Sequence, residues 1–146
     1  MVFNNAAREL LCEAGANIDV VTYDWWGYIA ISACGGKVLY DDYPSLRYRQ
    51  HANNLVGMNT SWSARFARVR LAWLGQFRIW NDKNIEALQR LQTRLTPENR
   101  KILDQFCSAR QRWLIPRLIG FKRAGIYRQT LMGNLGLIFF MLLNKI

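Results

Sequence analysis

Hydrophobic positions recur at helical spacing along most of this chain, and polar residues or glycines separate the recurring stretches. The first such stretch predicts a helix over residues 6–13. Asn4 or Asn5 can cap it, because a side-chain oxygen at that position accepts from a free backbone N–H. Gly15 follows the last helical residue, where a left-handed conformation is common.

A second helix is predicted to begin at Asp24, whose carboxylate suits the positive end of the helix dipole. The Gly35-Gly36 pair ends it. The residues at helical spacing within it are Trp25, Tyr28, Ile29 and Ser32.

The pattern then changes to alternation, which is typical of strands. Residues 37–40 and 46–50 are predicted as two short strands, separated by turn-forming residues 41–44. In the second strand Arg47, Arg49 and His51 alternate with apolar or uncharged residues. The two arginines and the histidine would therefore share one face.

Helical spacing returns beyond Ser61 and continues to the end. Glycines, prolines and one capping threonine divide this region, and they predict four further helical segments. The first helix starts at Ser61 or Ser63, has Trp62, Phe66, Val69 and Trp73 on one face and is followed by a break at Gly75, and the second covers 79–95. The third is capped by Thr96, has Pro97 in its first turn and runs to 113–115, where Pro116 interrupts it. The last helix covers 126–143.

The predicted fold class is therefore mainly α with a minor β element. The chain is expected to divide into two segments, residues 1–59, which hold the candidate site residues, and a basic helical region, residues 60–146. Residues 1–60 carry four Lys or Arg against six Asp or Glu, a net −2, whereas the remainder carries sixteen against four, a net +12. A basic helical region of this kind favours an anionic partner such as phosphate, nucleic acid or a membrane surface.

The apolar run 135–143 is too short for the ~20 residues that span a bilayer. It is compatible with a core or interface helix, and also with a helix lying on a membrane beside Lys122, Arg123 and Arg128. The sequence predicts reversible surface association through residues 117–146, weakened by salt.

Cys12, Cys34 and Cys107 are odd in number and lack C-x-x-C spacing, which is typical of buried thiols rather than of disulfides or a zinc site. The first residues lack a basic stretch followed by an apolar core. Both features favour a cytoplasmic protein, peripheral on the inner face of the cell membrane if the surface association holds.

Several residues of the chain suit chemistry as well as structure. Asp24 is either a helix-start charge or a general base, and His51, the only histidine, is either structural or a metal ligand. On the pattern alone, Trp25 and Trp26 are both expected in the core, and only the resemblance described next implies that one of them stacks on a substrate. Asp41 and Asp42 are interpreted as turn residues.

Four motifs in order carry a resemblance to a known family. They are Asp24-Trp25-Trp26 opening a helix, the Gly35-Gly36 turn, the run Val-Leu-Tyr-Asp-Asp at 38–42, and Tyr-Arg-Gln-His-x-Asn-Asn-x-Val-Gly at 48–57. Together they resemble the acceptor half of bacterial family 2 glycosyltransferases, in particular the rhamnosyltransferase-like branch. The resemblance covers residues 1–59 in motif detail, and the helical remainder only in general character.

The resemblance implies the carboxyl-terminal portion of an inverting, GT-A-type α/β glycosyltransferase with a helical extension. Asp24 matches the acceptor-activating aspartate. The residues implied for substrate binding are Trp25, Trp26, Arg47, Arg49, Gln50, Asn53 and Asn54, and His51 is implied on the diphosphate–metal side, with Mn²⁺ or Mg²⁺ expected only in the intact enzyme. The implied partners are a sugar nucleotide and a glycan or lipid-linked acceptor.

The nucleotide-binding half of that family is not found in this sequence: no Gly-rich phosphate loop or Asp-x-Asp motif precedes Asp24. We therefore expect little or no transfer by this chain alone. Strands separated from such a half would expose an edge and favour a homodimer. The alternative function is a small basic helical module that binds anionic membrane or nucleic acid, although no helix-turn-helix or RNA-binding motif is present. A helical interaction module with a merely solvated basic surface is the third interpretation.

Overall fold

The computed structural model describes residues 1–41, 43 and 62–146, with the backbone alone for 62–65, 67 and 68. Within these residues it has seven helices and no strand, which confirms the mainly α class. The helices are α1 Asn5–Glu13, α2 Tyr23–Ala33, α3 Trp62–Trp73, α4 Gln76–Arg90, α5 Pro97–Gln111, α6 Leu114–Arg123 and α7 Leu131–Leu142. None of the described helices is long and apolar enough to cross a membrane.

Side-chain caps fix the beginnings of three helices. The Asn4 Oδ1 accepts from the Ala7 N–H at 2.9 Å, which confirms Asn4 as the cap of α1. The Thr96 hydroxyl accepts from the Asn99 N–H at 3.2 Å, and Thr130 caps α7 in the same way. At Gly75, φ is +78°, a conformation that disfavours other residues, and α4 begins directly after it.

The boundaries of three predicted helices were wrong. The helix predicted over 79–95 is α4. It begins at Gln76, because Gly75 is its N-terminal cap residue, and it ends at Arg90. The α5 helix stops at Gln111, because Arg112 is extended, and Pro116 lies in the first turn of α6 instead of interrupting a helix. Proline is tolerated there, since the first backbone N–H groups of a helix have no helical acceptor. The last helix begins at Leu131, not at 126, because Thr130 supplies its cap.

The strand predicted at 37–40 was also wrong. These four residues have no regular structure, all are exposed, and no backbone hydrogen bond joins them to other described residues. Alternation alone does not make a strand, because a strand needs a neighbour to accept its hydrogen bonds. The partner strand predicted at 46–50 lies outside the described residues, so the homodimer expected from an exposed edge stays a prediction. The turn prediction agrees with a hydrogen bond from the Tyr43 N–H to the Asp41 Oδ1 at 3.0 Å.

The first of two buried clusters joins α1, α2 and the end of α4. Trp26 and Ala30 of α2 pack with Leu10 of α1 and with Leu88 and Leu91. This cluster draws on both predicted segments. The predicted boundary between residues 59 and 60 lies outside the described residues.

The second cluster holds α5, α6 and α7 together around Phe121. The Phe121 ring meets Phe106 with centroids 5.4 Å apart, and Ala109 and Met141 complete the buried group. Gly120 allows the close approach of α5 and α6, because a Cβ there would lie 2.6 Å from that of Ala109. This packing sets the orientation of α6 and α7.

Two buried arginines brace the same region. The Arg117 Nε donates to the Arg112 carbonyl at 3.0 Å, and its Nη1 donates to the Met141 carbonyl at 3.0 Å. Arg110 pairs with Asp82 at 2.6 Å and donates to the Ile146 carbonyl at 3.1 Å. Both guanidinium groups are therefore occupied by the fold itself.

Candidate functional site

The first turn of α2 sorts its side chains between solvent and core. Trp26 is only 2% exposed and belongs to the first cluster, whereas its neighbour Trp25 is 46% exposed. Tyr23, Asp24 and Tyr28 are also exposed. Successive residues on a helix point about 100° apart, so neighbouring tryptophans have opposite environments. The expected division of the pair is present, and Trp25 is the member with a surface available to a ligand.

Asp24 presents a carboxylate beside Trp25 at the start of the helix. Its Oδ1 accepts from the Trp25 backbone N–H at 2.9 Å. The nearby Thr22 hydroxyl is the largest cause that lowers the pKa of Asp24 below its ordinary value, and the Trp25 N–H lowers this pKa further. The side chain is thus an exposed, oriented carboxylate that is ionised at neutral pH.

Two aromatic residues of α4, Trp80 and Phe77, form a chain of ring contacts with Trp25. The Trp25 and Trp80 rings meet edge to face, with centroids 6.1 Å apart and planes at 79°. The Phe77 ring in turn packs edge to face on Trp80, with centroids 5.2 Å apart and planes at 85°. Because Ala87 and Leu88 anchor α4 in the first cluster, this contact ties the orientation of Trp25 to the core.

Sequence reasoning missed Trp80 and Phe77. Both lie in α4, three positions apart and therefore on adjacent parts of one helix surface. That spacing was visible in the sequence, but nothing local indicated that their partner would be a residue of α2.

Together these residues form what we name the α2 start site, which consists of Asp24, Trp25, Trp80 and Phe77. It combines one carboxylate with a partly exposed indole that contacts a second indole ring, that of Trp80. A carboxylate of this kind can accept a proton from a hydroxyl group. An exposed indole can pack against the apolar face of a sugar ring.

The remaining predicted site residues lie outside the described residues. They are Arg47, Arg49, Gln50, His51, Asn53 and Asn54. Among residues 1–41, 43 and 62–146, no group of three His, Cys, Asp or Glu side chains could hold a metal ion. The metal ligation implied for His51 therefore stays a prediction.

No protein-family model, curated protein or solved structure matches this chain. The resemblance to family 2 glycosyltransferases accordingly depends on the ordered motifs between Asp24 and Gly57.

Proposed function

We propose that this chain forms the acceptor side of an inverting, family 2-like glycosyltransferase with a GT-A-type catalytic domain. The observation that carries the proposal is the exposed, ionised carboxylate of Asp24 directly beside the exposed indole of Trp25. The two groups supply a proton acceptor and a sugar-stacking surface within one helical turn.

In the proposed reaction, Asp24 acts as general base. It accepts the proton of an acceptor hydroxyl while the hydroxyl oxygen forms a bond to the anomeric carbon of the donor sugar. The bond from that carbon to the nucleoside diphosphate breaks, and the diphosphate leaves with the electron pair. Attack opposite the leaving group inverts the anomeric configuration. Asp24 ends as a carboxylic acid and returns its proton to solvent.

The acceptor class follows from the aromatic part of the site. A flat indole face binds the C–H face of a pyranose ring and leaves the hydroxyl groups to polar neighbours. Trp25 contacts Trp80 edge to face within the chain itself, so its ring is oriented before the acceptor arrives. We therefore propose a glycan acceptor, either a polysaccharide or a lipid-linked sugar.

The donor side is assigned to residues that the structure does not describe. Arg47 and Arg49 would contact the diphosphate of a sugar nucleotide, since guanidinium groups bind phosphate oxygens in pairs. Gln50, Asn53 and Asn54 would bind the donor or acceptor through hydrogen bonds. His51 would lie near the divalent ion, Mn²⁺ or Mg²⁺, which neutralises charge on the leaving diphosphate when bound.

The test is sugar transfer by an intact enzyme that contains this segment joined to a nucleotide-binding half. A panel of labelled sugar nucleotides is offered with glycan and lipid-linked acceptors, with the 146-residue chain alone assayed in parallel. We expect transfer by the intact enzyme and little or none by the chain alone. Failure of the intact enzyme with every donor and acceptor would contradict the proposal, and robust transfer by the chain alone would contradict its assignment as the acceptor side only.

A further inference from the structure

Helix α7 turns an apolar side to solvent. Leu137 and Met141 pack inward against the second cluster. The exposed hydrophobic residues of the helix are Leu131, Met132, Leu135, Ile138, Phe139 and Leu142. They recur at steps of one and three, so they form a single stripe along the helix. The helix contains no charged residue. Its outward side is therefore apolar over its whole length.

Helix α6 extends the same surface. Leu114, Ile115 and Ile119 are exposed near its beginning, and Trp113 just before it is 76% exposed. Leu118, one turn beyond Leu114, lines an apolar groove of about 380 Å³ together with Ile138 of the α7 stripe. The groove thus connects the apolar residues of the two helices. We name the combined surface the α6–α7 face.

Every charged side chain within residues 105–146, the segment that contains the α6–α7 face, is cationic. Residues 105–146 include seven Lys or Arg and no Asp or Glu. Arg110 and Arg117 are buried and bonded to backbone carbonyls, so they belong to the fold. The exposed cations are Arg112, Lys122, Arg123 and Arg128, and Lys122 lines the same groove as Leu118 and Ile138.

We propose that the α6–α7 face lies on an anionic lipid bilayer, with its apolar side chains in the boundary between headgroups and acyl chains. Apolar stripes flanked by cations bind such surfaces through both buried apolar area and attraction to anionic headgroups. The twelve residues of α7 measure about 18 Å, a length that fits a helix lying in the plane of the interface. Trp113 and Tyr127 are exposed beside the cations, where aromatic side chains favour the headgroup region.

Charge argues against a second copy of this chain as the occupant. In a symmetric dimer the same patch meets itself. Such a dimer would bring Lys122 and Arg123 of one copy toward the same cations of the other, with no acidic residue in 105–146 to pair with them. An anionic lipid surface matches both the charge and the apolar stripe. This inference does not depend on the proposed transfer reaction.

The experiment measures co-sedimentation of the 146-residue chain with vesicles. The probes are vesicles of phosphatidylcholine alone and of phosphatidylcholine mixed with phosphatidylglycerol. We expect binding to the mixed vesicles, weak binding to the neutral ones, and release at about 1 M salt, where the screening length is ~3 Å.

Two variants test the apolar and the cationic parts of the face separately. In L131S/L135S both side chains are well exposed, so the fold should be kept while partitioning falls by about tenfold or more. The matched control is F66S/V69S, which removes exposed apolar groups from α3 and should bind as the parent does. In K122Q/R123Q partitioning should fall about 25-fold, since each cation contributes a factor of about five. Its control is K37Q/K101Q, which removes the same charge from exposed sites elsewhere.

Equal binding to neutral and anionic vesicles would overturn the proposal. So would parent-like binding by L131S/L135S, or equal losses in the α6–α7 variants and their controls. A fourth contrary outcome is a parent chain that binds no vesicle but forms a dimer, when L131S/L135S abolishes that dimer. A second copy would then cover the face.

Discussion

The ring of Trp25, at the start of α2, meets the ring of Trp80, in α4, edge to face with centroids 6.1 Å apart. Trp25 directly follows Asp24, the only described candidate base. The contact therefore connects this part of α2 to α4, a helix that lies outside the sequence motifs. Trp25 keeps nearly half of its surface exposed although one side is held. An oriented but accessible indole is what recognition of a sugar ring requires.

Trp80→Leu should weaken acceptor binding without touching the acceptor directly. Leucine keeps an apolar side chain but removes the aromatic partner of Trp25, and such ring pairs contribute about 0.5–1.5 kcal/mol. In an intact enzyme we expect the acceptor KM to rise about two- to tenfold with little change in kcat. Trp73→Leu is the matched control, because Trp73 is an exposed tryptophan of α3 outside the ring pairs that Trp80 forms with Trp25 and Phe77. An unchanged acceptor KM in Trp80→Leu, alongside a raised one in Trp25→Leu, would show that Trp80 does not position Trp25.

Thr22→Val should raise the pKa of Asp24. The Thr22 hydroxyl is the largest cause of its lowered pKa, and Thr22 makes no side-chain cap to the helix that the substitution would remove. The lowered folded pKa means that the carboxylate stabilises the fold above its unfolded pKa, and this contribution is lost as pH falls through the folded pKa. In the variant this contribution should be smaller, and its loss should be complete at a higher pH.

Carbon-detected NMR titration of the Asp24 carboxyl, from about pH 6 down to about pH 2, measures this shift. The control Thr93→Val removes an exposed threonine hydroxyl at another site. An Asp24 titration that is identical in parent and Thr22→Val would show that the Thr22 hydroxyl does not lower this pKa.

Asn99→Ala should lower the free energy of unfolding by about 1–3 kcal/mol, the sum for two hydrogen bonds. The Asn99 Nδ2 donates to the Ser32 carbonyl at 3.1 Å and to the Ala33 carbonyl at 3.0 Å. These carbonyls at the end of α2 lack an N–H donor within the helix, so a side chain of α5 supplies hydrogen bonds to them. Urea denaturation measures the change, with Asn17→Ala, an exposed asparagine, as control. Equal stabilities of the two variants would mean that the link between α2 and α5 contributes nothing.

The sequence predicted features that depend on neighbouring residues. Asn4 and Thr96 cap their helices as expected, and Gly35 and Gly75 adopt the positive φ that ends or begins a helix. These outcomes are decided within a few residues, where capping chemistry and backbone sterics act.

Features that depend on distant partners were not predictable. The alternation at 37–40 did not give a strand, because no described neighbour pairs with it. The stripe of Phe66, Val69 and Trp73 correctly indicated a helix, yet all three side chains are exposed. Periodicity reports the helix, but it does not report what covers the apolar side. Trp80 was missed for the same reason, since its partner is in another helix.

The most direct test of the central claim is the rate of sugar transfer by an intact enzyme carrying Asp24→Asn. Asparagine keeps the shape of the side chain and can still accept from the Trp25 N–H, but it cannot take the proton of the acceptor hydroxyl. We expect kcat to fall by about 10²–10⁴, the usual contribution of a general base, while donor binding stays nearly intact. Asp104→Asn, an exposed carboxylate on α5, should remain active. Near-normal transfer by Asp24→Asn would contradict the account.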